Sequence, residues 1–109
     1  MYTLAIGNIV DVPLKFTLKD GRVNKTFAMT LTATRWSKED MEARADSLSV
    51  RDFLLEAISG WSEQRLVLGA DGQPAEFSRG ALDALFDVGG VLDLTWKSYL
   101  RECAGKEKN

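Results

Sequence analysis

Three carboxylates are the first side chains in this sequence that could do chemistry. Asp83 and Asp87 stand one helical turn apart, and Asp93 follows a Gly89-Gly90 break. Carboxylates so spaced can share a hard divalent cation such as magnesium. Like charges four residues apart also line solvated helix faces, where they repel unless something neutralises them. The solvated face is the reading adopted, and no metal site is assigned. Cys103 is the one thiol in the chain. It falls on an apolar helical stripe, where a free cysteine usually acts as a small core residue rather than as a nucleophile. Lys15, Lys19 and Arg22 share a polar strand face that could touch phosphates. The whole chain carries 14 basic and 16 acidic residues, net −2. That balance supplies no broad positive field, so nucleic acid is not the expected partner.

The sequence has no histidine. That removes Ser-His-Asp and Cys-His catalysis and the neutral base best matched to pH 7. With a single cysteine it also rules out a Cys/His zinc site. No GxGxxG is present, and no glycine precedes a Lys-Ser or Lys-Thr pair. No catalytic residue and no cofactor is therefore assigned, and the protein is not expected to be an enzyme. The large aromatics remain. Trp61, Phe77, Trp96 and Tyr99 are the candidate partner-binding residues, with Trp36 nearby at a strand end. Any one of them alone is more often core. Three tryptophans are many to hide in a domain this small, and aromatic rings dominate protein interface hot spots.

The elements that must carry these residues can be read from periodicity. In 12–19 the apolar residues occupy the even positions, and in 23–34 the odd ones apart from Lys25. Period-two alternation marks a strand with one buried face. Asp20-Gly21 between the runs suits a type I′ turn. A loop at those two residues pairs Lys19 with Arg22, Leu18 with Val23, Leu14 with Phe27 and Val12 with Met29, with Lys25 opposite Phe16. Leu14, Phe16, Leu18, Phe27, Met29 and Leu31 are then expected to face the helices. Thr3–Val10 is a candidate third strand, broken at Gly7-Asn8.

Helices follow. Ser37 opens a short polar one to about Ala45. Ser49 caps a second, where Val50, Phe53, Leu54, Ala57, Ile58 and Trp61 form an apolar stripe that ends near Gly60. Residues 62–77 read as a loop with at most a small hairpin. Ser78 caps a third helix with Ala81, Leu82, Leu85 and Phe86 inward. A fourth follows Gly89-Gly90, with Leu92, Trp96, Tyr99 and Cys103 on one stripe. The expectation is one α+β domain, 1–109: an antiparallel hairpin region (1–36) packed against three to four helices (37–105), then a charged, frayed tail (106–109). At 109 residues and 45% hydrophobic the chain is long and apolar enough for one core. The lone cysteine, the absence of an apolar run of about 20 residues and the short apolar opening Met1–Ile6 lead to the expectation of a cytoplasmic protein outside the membrane.

The order of segments resembles that of the tail assembly chaperones of tailed bacteriophages and prophages. The resemblance rests on the hairpin 14–34, on Val50–Trp61, on Asp71-Gly72-Gln73-Pro74-Ala75-Glu76-Phe77-Ser78, on Ala81–Leu85 and on the last helix with Tyr99. It covers about Val12 to Gly105, and Gly60-Trp61 followed by Asp-Gly-x-Pro-x-x-Phe-Ser is its most specific part. It implies a non-catalytic protein of the bacterial host cytoplasm, not retained in the mature virion, that binds the tape measure protein and assists tail tube assembly. Another protein-binding role in a phage or prophage, as a tail completion subunit or an inhibitor of a host protein, is the alternative. Apolar surface kept for a helical partner leads to a further expectation, self-association through the same helices.

Overall fold

Two long strands built from the alternating segments form the hairpin: β1 (Ile9–Asp20) and β2 (Val23–Thr34), antiparallel. The computed structural model describes residues 1–104, and the tail 106–109 lies outside them. The apolar faces match as expected, but the pairing is displaced by two residues. Asp20 lies opposite Val23, Leu18 opposite Lys25, Phe16 opposite Phe27, Leu14 opposite Met29 and Val12 opposite Leu31. The turn is thus Gly21-Arg22. Gly21 has φ +66°, and Arg22 is not among the residues of positive φ. That is the II′ pattern, which needs glycine only at the first central position. A I′ turn at Asp20-Gly21 would have forced Asp20 into left-handed backbone as well. The observed register also sets Phe16 beside Phe27 (ring centroids 6.1 Å apart) and Thr17 Oγ1 3.0 Å from Thr26 Oγ1. Lys25 reaches Asp20, with Nζ 2.7 Å from Oδ2.

The third strand comes from elsewhere than expected. Of 3–10 only Ile9 and Val10 are strand, as the start of β1. The Gly7-Asn8 bend is held by Arg35, whose Nη2 donates to Gly7 O and whose backbone N–H donates to Asn8 O, both at 2.6 Å. The sheet is completed by β3 (Ile58–Ser62), antiparallel to β2 in the order β1-β2-β3. The second helix therefore stops at Ala57, before Trp61. Ile58 and Trp61 are three apart, a helical spacing. An irregularity between Thr32 and Ala33 lets Ile58 oppose Ala33 while Trp61 opposes Leu31. A bulge inserts one residue and so turns both side chains to the core face.

Four helices follow serine or glycine caps: α1 (Lys38–Ser47), α2 (Val50–Ala57), α3 (Arg79–Phe86) and α4 (Val91–Cys103). The hydroxyls of Ser37, Ser49 and Ser78 accept from Asp40 N, Asp52 N and Ala81 N at 3.0–3.2 Å, satisfying donors that each first turn leaves open. Gly90 caps α4 with φ +85°, backbone that favours glycine. The buried face of α4 is Val91, Thr95, Ser98 and Tyr99, while Leu92, Trp96 and Cys103 lie half-buried on its flank. Thr95 and Ser98 are small enough for α4 to approach β1 closely, and Thr95 Oγ1 donates to Val91 O at 2.7 Å.

A single core joins sheet and helices: Val12, Leu14, Met29, Leu31 and Ala33 against Phe53, Leu54, Leu82, Leu85 and Tyr99. Phe16, Leu18 and Phe27, expected against the helices, are only half-buried. The helices cover the part of the sheet near its open end, and the turn end projects beyond them. The radius of gyration, 15.3 Å, accordingly exceeds the roughly 13 Å usual for this length.

Candidate protein-binding surface

The aromatic residues fall into two groups. Phe53, buried on α2, is the hub of the first. Trp36, Trp96 and Tyr99 meet it edge to face at centroid distances of 5.2, 5.0 and 5.6 Å, and Trp96 stacks on Tyr99 at 6.2 Å. Tyr99 is wholly buried, and its hydroxyl donates to Thr34 O at 2.8 Å. It is therefore a core residue and is removed from the candidate partner-binding set. Burial, then the neighbouring Cys103, pushes its ionisation well above the usual range. Burial likewise pushes the Cys103 thiol up, which makes a poor nucleophile. Trp36 and Trp96 are half-buried. The Arg44 guanidinium lies 4.1 Å above the Trp36 ring and bonds Glu56 Oε2 at 2.6 Å, so one arginine ties α1 to both the tryptophan and α2.

Trp61 and Phe77 make the second group. Their rings meet at 5.3 Å and 89°, and Trp61 Nε1 donates to Ala75 O at 3.3 Å. Both are half-buried. The loop between them is organised by Gln64, which is nearly buried. Its Nε2 donates to Val67 O at 3.0 Å, and its Oε1 accepts from Val67 N. Gln64 was not singled out from the sequence, because an isolated glutamine in a loop carries no periodic signal. The two groups make no ring contact with each other. The four candidates are thus split between two places on the molecule, with Trp61 on a strand rather than at a helix end.

The carboxylates are occupied within the chain. Arg51 Nε bonds Asp83 Oδ1 and Arg51 Nη2 bonds Asp87 Oδ1, both at 2.7 Å, and Nη2 also donates to Asp83 O at 2.9 Å. Asp93 pairs with Lys97 at 3.0 Å. Among the described residues no group of three or more His, Cys, Asp or Glu could hold a metal ion. No match to this chain is found among protein-family models, curated proteins or solved structures. Lys15, Lys19 and Arg22 are exposed on or beside the outer face of the hairpin. No helix among the described residues is long and apolar enough to cross a membrane. The arrangement offers rigidly held, partly accessible aromatic rings, and such rings can anchor a protein partner.

Proposed function

We propose that this chain is a non-catalytic assembly chaperone of a phage or prophage tail. It binds segments of the tape measure protein in the bacterial cytoplasm, assists tail tube assembly, and is absent from the finished virion. The observation that carries the reading is the Trp61–Phe77 pair, half-buried and fixed by an edge-to-face contact and an indole hydrogen bond. A ring already ordered before binding loses little entropy on meeting a partner. The half-buried Trp96 on α4 offers a second anchor. The resemblance in segment order supplies the partner, a long helical protein whose free segments present apolar stripes, which suits helix-in-groove recognition.

The test is co-expression with a tape measure fragment and a pull-down. Trp61→Ala and Trp96→Ala, each checked for a native circular dichroism spectrum, should weaken recovery of the fragment more than Lys15→Ala or Arg22→Ala does. If the fragment stays bound with both tryptophans replaced and is released by the charge changes, the binding surface lies on the sheet and the reading fails.

A further inference from the structure

β2 has two edges, and only one of them is filled along its whole length. In a two-residue hairpin the residues flanking the turn exchange both hydrogen bonds. Counting from the Asp20–Val23 pair, the odd-numbered residues of β2 therefore bond to β1, and the even-numbered ones turn their N–H and C=O to the other side. There Thr30 and Thr32 meet Ser62 and Gly60 of β3. The chain then leaves the sheet at Glu63, whose φ of 62° is left-handed. Among the described residues, none pairs with Asn24, Thr26 or Ala28 on that side. A cleft opens there, bounded by Thr26, Phe27, Ala28, Glu63 and Arg65.

The outer edge of β1 is built differently. By the same count, Pro13 is one of its outward-facing positions, and proline has no N–H to offer. Asp11, Lys15 and Lys19 flank it. Proline and charge are the usual guards against unwanted strand addition. The open stretch of β2 has neither on its outward-facing residues, which are the small, uncharged Asn24, Thr26 and Ala28.

The leading segment has the form of a matching strand. Tyr2, Leu4 and Ile6 alternate with Thr3 and Ala5, and the three apolar side chains are 99, 82 and 60% exposed. Opposed residues in a sheet share a face. With Thr3 and Ala5 beside Thr26 and Ala28, the apolar three fall on the face of Phe27 and Met29, with Leu4 opposite Phe27. Lys25 shares that face, its ammonium turned to Asp20 at 2.7 Å. The segment cannot reach this edge within its own chain. Arg35 ties it at Gly7 and Asn8, and from there to Ala28 is seven residues of β2, about 23 Å. It also starts on the β1 side, roughly 10 Å across the sheet. The six residues from Asn8 back to Tyr2 span at most about 21 Å.

We infer that residues 2–6 of one copy add as a strand to the open edge of β2, at residues 24–28, in a second copy. The inference does not rest on the chaperone reading, and a monomeric protein would overturn it while leaving tape measure binding untouched. The test measures mass by light scattering on the full-length chain at high concentration. The parent should exceed the monomer mass of 12.1 kDa, while Leu4→Lys and Ala28→Pro should each fall to it. Mixed together, these two should form a one-to-one heterodimer, because one keeps an intact edge and the other an intact arm. Leu4→Lys alters an exposed side chain and leaves folding intact. Should Ala28→Pro not fold, competition by a peptide of residues 1–8, lowering the mass of the parent, decides instead. A monomeric parent, a Leu4→Lys variant of parental mass, or a mixture that stays monomeric would overturn the assignment.

Discussion

Phe53 is the residue on which most of the aromatic packing converges, and its three ring contacts make it costly to remove. Phe53→Ala should destabilise by about 3–5 kcal/mol, the range for a buried phenylalanine, measured by urea unfolding. Phe27→Ala, on the projecting part of the hairpin, should cost less, about 1–2 kcal/mol, since its ring is only partly buried there. Equal losses would contradict the burial difference between the two sites. Tyr99 gives the fold an alkaline limit. Its ionisation is raised in the folded protein, so the stabilisation is whole below the unfolded value near pH 10. Above that pH the unfolded chain loses its proton while the folded one holds it, and stability falls. Cys103 shifts in the same direction. Tyr99→Phe should flatten the decline in melting temperature above about pH 10, and an unchanged slope would assign it to other groups.

At the level of elements, helix starts were legible because a serine before an apolar-periodic run has one job, and the three hydroxyls do it here. Ser49→Ala should cost about 1 kcal/mol. The hairpin faces were legible too, since any pairing that keeps odd against even keeps the apolar sets together. The register was not, because Asp20-Gly21 and Gly21-Arg22 differ only in where left-handed backbone falls. The third strand was hidden by its bulge, which gave Ile58 and Trp61 a helical spacing inside a sheet. Asp83 and Asp87 read correctly as neighbours on one face, but their partner Arg51 lies 32 and 36 positions away, beyond any local pattern. Arg51→Met should remove the ion pairs that link α2 to α3 and lower the urea midpoint slightly at low salt. Most of that loss should vanish in 1 M salt, where screening acts over about 3 Å. A salt-independent loss would place the effect in packing instead.

For the molecule as a whole, the α+β class and the order of helices followed from periodicity. The partition of the aromatics did not, because spacing places rings on a face without saying which lie at its centre. Tyr99 and Trp96 are three apart on α4, yet one is sealed and the other is not. With Asp83, Asp87 and Asp93 each engaged by a basic side chain, a chelator should leave the melting temperature unchanged. A drop of several degrees in EDTA would require a bound ion. The hairpin that reaches past the helices has a hydrodynamic consequence. With axes of 55, 34 and 23 Å, the particle meets more friction than a sphere of its mass. It should diffuse slowly and elute early from a sizing column even as a monomer, so that retention volume alone would mimic a dimer, whereas sedimentation coefficient and diffusion taken together would not.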